Sequence, residues 1–141
     1  MISKRVIIDT GPIVAFLNKS DHYHTWAITR FSELKPPFLT CESVISEVCF
    51  LLRNSEIGIR NVFQLLSRGL ISIPFQLEPE ISAVYSLMKK YSNVPISLAD
   101  ACLVRMSEQI SDSAICTLDS DFKLYRKDKR KVIPVIMPDL K

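Results

Sequence analysis

Glycine is scarce in this chain, three residues among 141. None of the three falls into a Walker or dinucleotide fingerprint, so cradling of a nucleotide's phosphates by a glycine-rich loop is excluded. Cysteine is present four times, as Cys41, Cys49, Cys102 and Cys116, but never as Cys-x-x-Cys. That spacing excludes a zinc ribbon or a thioredoxin-type dithiol. Each cysteine sits among apolar neighbours and reads as a reduced thiol serving as a small buried hydrophobe. Long apolar runs are missing too: five-residue runs such as Val48-Cys49-Phe50-Leu51-Leu52 are far short of the ~18 residues of a membrane span. The opening Met1-Ile2-Ser3-Lys4-Arg5-Val6 lacks a signal-peptide core, so a cytoplasmic protein with no membrane association is expected. What remains is globular in proportion, 48% apolar and 23% charged, which excludes a disordered chain. At 16.1 kDa the expectation is one domain, residues 1–141, able to bury roughly two-thirds of its unfolded surface without a disulfide or zinc staple.

Short β-branched runs alternate with helical patterns along the whole length. Arg5–Ile8 reads as a strand, and Pro12 suits the first turn of the helix after it. A helix is expected from about His22 to Leu34, with Trp26, Ile28, Phe31 and Leu34 available to a core, ended by Pro36-Pro37. Phe38–Thr40 and Leu70–Ile73 are short strands, with helices near Ser43–Arg53 and Gly58–Ser67 between them. Helices near Pro79–Tyr91 and Leu98–Gln109 precede strands at Ala114–Leu118 and Val132–Ile136, the last placed at a sheet edge by Pro134. Strands too short and apolar to alternate, separated by helices, argue a buried parallel sheet. The expected fold is a three-layer α/β/α sandwich with a mostly parallel central sheet of about five strands.

In such sheets ligands gather beyond the carboxyl ends of the strands. Asp9 and Asp119 fall there, directly after the first and fourth strands, with Asp121 two residues on. Each alone is also what a helix cap looks like. Two further acids sit less comfortably. On a wheel of 100° per residue, Glu47 lies about 60° from Phe50 and 40° from Leu51, with Val44 close by. It is therefore expected along the edge of an apolar face, where a carboxylate is costly unless paired or bound to metal. Asp100 is flanked in the same way by Leu103, Val104 and Ser107, although Ser97-Leu98-Ala99-Asp100 also reads as a capping box. Four converging carboxylates repel one another and persist at neutral pH with bound cations. Hard oxygen donors without His or Cys select Mg²⁺ or Mn²⁺. Such ions can clamp the attacking water and leaving oxygen of a phosphodiester, and no Ser/His/Asp or Cys/His arrangement offers a competing nucleophile.

Here the chain resembles a family. Ile7-Ile8-Asp9-Thr10-Gly11-Pro12-Ile13-Val14-Ala15-Phe16-Leu17 is similar to the opening of PIN-domain proteins, particularly VapC-like ribonuclease toxins of type II toxin–antitoxin systems. Ser46-Glu47-Val48, Leu98-Ala99-Asp100-Ala101 and Thr117-Leu118-Asp119-Ser120-Asp121-Phe122 match the family's later motifs in order and spacing, over residues 6 to about 136. The resemblance implies a Mg²⁺- or Mn²⁺-dependent RNase in which Asp9, Glu47, Asp100 and Asp119 form the acidic quartet, with Asp121 as an auxiliary ligand. Thr10 and Thr117 would be auxiliary, Thr117 orienting a carboxylate or water. Cleavage by water would leave a 3′-hydroxyl and a 5′-phosphate. Many relatives carry another acid where this chain has Ser97. Asp21, His22 and His24 also look family-like, and a helix-start role suits them better than a metal site. The resemblance further implies a small cognate antitoxin seated in an apolar groove, to which Phe16, Trp26, Phe50 and Leu51 would contribute, and a homodimer.

Net charge is only +3, but six of the nine residues from Lys123 to Lys131 are basic. This run is either a solvated face or an RNA-backbone contact through Lys123, Arg126, Lys127, Lys129 and Arg130. Other classes fit less well. Asp9-Thr10-Gly11 is also the aspartic-protease tripeptide, but that enzyme is all-β. A haloacid-dehalogenase phosphatase would want an acid where Gly11 stands, and a receiver domain an acidic pair after the first strand. The serious alternative is a catalytically weak PIN-like module that binds RNA or a protein as a scaffold.

Overall fold

Val6, Ile7 and Ile8 present apolar groups to both sides of the chain, and both sides are covered. A computed structural model describes residues 4–139. Met1–Ser3, part of the segment examined for a signal sequence, lie outside the described residues, as do Leu140 and Lys141. Strand β1 (Arg5–Ile8) pairs in parallel with β2 (Phe38–Leu39) on one side and β4 (Ser113–Cys116) on the other. Outward from these lie β3 (Ile71–Ser72) and β7 (Val135–Ile136), giving the order β3-β2-β1-β4-β7 with every pair parallel. β1 and β4 occupy the middle, and Val6, Ile7, Ile8, Ala114, Ile115 and Cys116 are all buried. This is the five-stranded parallel sheet flanked by helices that the sequence pattern implies.

The helices are α1 (Thr10–Leu17), α2 (His24–Glu33), α3 (Glu42–Leu51), α4 (Glu56–Ser67), α5 (Ile81–Lys90) and α6 (Leu98–Gln109). α6 packs against β1 and β4 and buries Ala99, Ala101, Cys102, Leu103, Val104, Met106 and Ser107. Three helices start on side-chain caps that satisfy otherwise unpaired N–H groups: Asp9 for α1, Ser55 for α4 and Ser97 for α6. Gly11 has a definite steric role. A Cβ there would stand 3.1 Å from Leu118 Cδ1 and 3.2 Å from Leu118 Cβ. Glycine thus lets the first turn of α1 lie close against the segment that follows β4.

Several expected boundaries move. The expected Val132–Ile136 strand is split in two. Pro134 has no N–H to give a ladder, though its carbonyl accepts from Ile115 N at 2.9 Å. Lys131–Val132 (β6) instead turns back to pair antiparallel with Arg126–Lys127 (β5). The edge position expected for the last strand does hold for β7. β4 ends at Cys116 rather than Leu118, so Asp119 stands three residues beyond the strand. In α2 it is Ala27 that is buried, whereas Ile28 faces outward and Trp26, Phe31 and Leu34 pack on the core's margin. All four cysteines are free thiols; Cys41, Cys102 and Cys116 are buried, but Cys49 only half so.

Candidate active site

The carboxyl ends of β1 and β4 deliver the first part of the site. Asp9 follows β1 and is anchored by its own N–H, which donates to Cys116 O at 3.0 Å. Its carboxylate, only 7% exposed, accepts from Thr10 N at 2.7 Å through Oδ1 and from Thr117 Oγ1 at 2.7 Å through Oδ2. Thr117 in turn accepts from Asp119 N at 3.0 Å. Asp119 accepts from Asp121 N at 2.9 Å, capping the single 3₁₀ turn Ser120–Lys123. One buried hydroxyl therefore ties the acid after β1 to the acid after β4. Thr10 makes the matching link on the other side, donating from Oγ1 to Glu47 Oε1 at 2.6 Å.

Asp100, the remaining acid of the expected quartet, stands in the first turn of α6. Its N–H donates to Ser97 Oγ at 3.0 Å, so the capping role is real. The carboxylate nevertheless belongs to the acidic group. Burial and the negative charge of Asp119 raise its pKa against the opposing bonds from Ser97. For Asp9 the same causes are stronger: burial first, opposed by the Thr117 and Thr10 bonds and reinforced by Asp100 and Glu47, pushes its pKa up to about 6. Asp9 thus feels the charges of Asp100 and Glu47, and Asp100 that of Asp119. Among the described residues none of the four makes a salt bridge; the ion pairs are Arg30–Glu33, Arg105–Glu80 and Arg105–Glu108. These acids have no ion-pair partner among the described residues, and their donors are all hard oxygens, the kind Mg²⁺ and Mn²⁺ prefer. Among the described residues no three His, Cys, Asp or Glu side chains close around a single point.

Glu47 reaches this group differently from the expectation. The buried face of α3 is Val44 and Val48, continued by Cys41 and Leu52, whereas Glu47 is exposed and Phe50 and Leu51 are 61% and 56% exposed. The wheel placed Glu47 correctly between Phe50 and Leu51, but that stripe faces solvent. Thr10, Ser46, Glu47, Phe50 and Leu51 line an open cavity of about 520 Å³.

Tyr125 is a site residue the sequence did not reveal. Its ring is fully buried and its hydroxyl donates to Asp100 Oδ2 at 3.3 Å; burial and the acids around it raise its pKa. Phe122 and Tyr91 meet its ring edge-on at 5.2 and 5.0 Å. Tyr125 hid inside the basic run; the apolar Phe122 and Leu124 beside it were the available signal. The basic run itself forms the β5–β6 hairpin, turned by Asp128 and Lys129 at positive φ of 49° and 72°. Asp128 N donates to Glu108 Oε2 at 2.8 Å, pinning the hairpin to α6. Arg126 spends its guanidinium on the carbonyls of Lys123, Leu124 and Tyr125. Lys123, Lys129 and Arg130 are exposed, and Lys127 is half-buried. Away from the acids, His24 Nδ1 bonds Ala15 O at 2.7 Å and Asp21 Oδ1 accepts from Tyr23 N at 2.8 Å. Those residues start α2 and tie it to α1.

A parallel sheet with acids gathered at its carboxyl edge defines a class of α/β protein. The PIN domain family model matches residues 6–128, and the chain belongs to that family. The fold is similar to the crystal structure of VapC20 of Mycobacterium tuberculosis, described as a sarcin–ricin-loop-cleaving toxin. The match has a TM-score of 0.71 at 16% identity, covering 92% of this chain and 99% of that one. The VapC-like PIN fold expected from the motifs is therefore present. No curated protein matches the sequence.

Proposed function

We propose that this chain is a metal-dependent endoribonuclease, the toxin of a toxin–antitoxin pair, built as one PIN-like unit over residues 1–141. The observation that carries the reading is the carboxylate group at the sheet's carboxyl edge, mutually repelling and without an ion-pair partner among the described residues. Asp9, Glu47, Asp100 and Asp119 would hold Mg²⁺ or Mn²⁺, with Asp121 auxiliary. The cation would supply a water of lowered pKa and charge neutralisation at the phosphate.

The chain's own residues set the conditions for that chemistry. Thr117 and the Thr10 N–H fix both oxygens of Asp9. The Thr10 hydroxyl holds Glu47 beside it, and Tyr125 steadies Asp100 from the buried side. Such anchoring spares the carboxylates the reorganisation cost of assembling at the moment of reaction. Exposed Lys123, Lys129 and Arg130, with Lys127, would attract the RNA backbone, while Arg126 holds the hairpin's base together.

An inhibitor is part of the reading, because a free RNase damages its own cell. Phe16, Ile28, Phe31, Phe38, Leu65 and Leu70 help line an almost wholly apolar cavity of about 410 Å³. We assign it to the antitoxin; Phe50 and Leu51 line a different cavity that shares no residue with it. A cytoplasmic homodimer bridged by antitoxin completes the proposal; no helix among the described residues is long and apolar enough to cross a membrane.

The deciding experiment is incubation of purified protein with single-stranded RNA and Mn²⁺, with EDTA as control. The expected result is cleavage leaving 3′-hydroxyl and 5′-phosphate ends that stops with EDTA. Products ending in a 2′,3′-cyclic phosphate would mean that the 2′-hydroxyl attacked and would refute it. RNA binding without any cleavage would favour the scaffold reading.

A further inference from the structure

The exposed ledge at the end of α3 lies outside the hydrophobic core. Phe50 and Leu51 leave most of their surface in water, while α3 packs through Val44 and Val48. Two large apolar side chains on adjacent positions left mostly in water forgo favourable burial. Their position is informative. They share a cavity wall with Glu47 and with Thr10, whose hydroxyl holds Glu47 at 2.6 Å. The cavity therefore continues directly from the acidic site. At about 520 Å³ it falls within the size range of small-ligand sites. The Phe50 ring is also held in place: the Arg53 guanidinium lies 4.1 Å from its centroid, and Arg53 Nη1 donates to Phe50 O at 2.7 Å. One face of the ring is thus covered by the cation; an aromatic ring with a cation attached is a combination that single-stranded nucleic acid uses, base on the open face and phosphate on the cation.

We infer that the Phe50–Leu51 cavity is a subsite for one unpaired nucleobase of the RNA strand adjoining the scissile phosphate, with Arg53 bracing the ring and facing the neighbouring backbone. The inference rests on the nuclease reading and deepens it by naming what the strand does beside Glu47. The apolar wall of Phe50 and Leu51, with Arg53 packed on the Phe50 ring outside the cavity, suits a base and a phosphate. It explains why the stripe carrying Glu47 is apolar and solvent-facing at once. Stacking is sequence-tolerant, since every base has a π-face, so the subsite selects unpaired over paired RNA more than one base over another.

The test uses one single-stranded RNA in two assays: cleavage kinetics with Mn²⁺, and binding by fluorescence anisotropy with Ca²⁺ in its place. Phe50→Ala should lower kcat/KM and weaken binding by about tenfold, and Phe50→Trp should stay within about twofold of the parent. Both should unfold at the parent's urea midpoint, because Phe50 is 61% exposed. An abasic ribose moved along the RNA should find one position at which the parent loses about tenfold and Phe50→Ala loses nothing further. If the parent cuts RNA and Phe50→Ala cuts it equally well, the subsite is refuted and the nuclease reading stands. A parent that neither binds nor cuts refutes both. If Phe50→Ala handles RNA normally but changes the protein's mass in solution or its hold on a co-expressed partner, the ledge is a protein interface and the subsite falls.

Discussion

Asp9→Asn tests the electrostatic core of this site, because the structure predicts that removing a buried charge helps the metal-free fold. With its pKa raised from 3.8 to about 6, Asp9 holds its proton more tightly folded than unfolded. The folded chain then binds more protons between about pH 4 and 6, so stability falls as pH rises through that window and stays low above it. Two pKa units correspond to about 3 kcal/mol. The amide recovers less than this. Asn keeps an acceptor for the Thr10 N–H, but its NH₂ must face Thr117 Oγ1, which already accepts from Asp119 N. Losing the Thr117 O–H donation costs about 1 kcal/mol, leaving a net gain of about 2 kcal/mol at pH 7. At about pH 4 the parent is already protonated, and the variant should be no more stable than it. Urea unfolding at both pH values in EDTA measures this directly. Saturating Mn²⁺ should reverse the order at pH 7: a cation at 100 times its Kd adds about 2.7 kcal/mol to a protein that binds it, and Asp9→Asn should gain much less. If Asp9→Asn is equally destabilised at both pH values in EDTA, Asp9 is an ordinary cap and the charge-cluster argument is wrong.

Glu47→Gln should leave the urea midpoint unchanged within about 0.5 kcal/mol, since Glu47 is exposed and Gln can still accept from Thr10. RNA cleavage should nevertheless fall on the order of a hundredfold or more; retained cleavage would remove Glu47 from the site. Thr117→Val deletes a buried hydroxyl that lowers the Asp9 pKa. It should cost about 1–3 kcal/mol and move the acidic limb of the pH–rate profile upward, an outcome a purely structural threonine would not give. Reversing the charges of Lys129 and Arg130 should weaken RNA binding for all sequences and flatten its salt dependence. Unchanged affinity and slope would make the hairpin a solvated face. Gly11→Ala should press on Leu118 and lower activity more than stability, read as kcat against the urea midpoint.

The central sheet was legible because its strands are buried on both faces. Val6-Ile7-Ile8 and Ala114-Ile115-Cys116 read as interior strands, and both are, although β4 starts at Ser113 and stops at Cys116 instead of running to Leu118. The edges were less legible for the same reason. β2, β3 and β7 are each two residues long, and at that length hydrogen bonding to a neighbour, rather than composition, decides where a strand stops. The β5–β6 hairpin carries no such signal. Its tip is Asp128-Lys129, two non-glycine residues in the left-handed region. Its place is held by Glu108, twenty residues away in sequence.

Glu47 shows why a site can be identified for a reason that is only half right. The wheel read Phe50, Leu51 and nearby Val44 as one apolar face with Glu47 along its edge, and of these only Val44 is buried. In the structure the core-facing stripe is Val44 and Val48, and the two larger residues stand in water beside the acid. Periodicity reports which residues share a face; it does not report which way that face turns. The turn was settled by the neighbours: α3 packs against α1 and α6, whose contributions fill the space around Val44 and Val48. An apolar stripe that carries an acid and faces solvent needs an occupant that is part apolar and part anionic beside a cation. A nucleotide is such an occupant, whereas the cavity at Phe16 is lined by no charged residue and suits the apolar face of a helix. That distinction is why the ledge at Phe50 and the cavity at Phe16 are assigned to different partners, although the sequence presented their side chains as one surface.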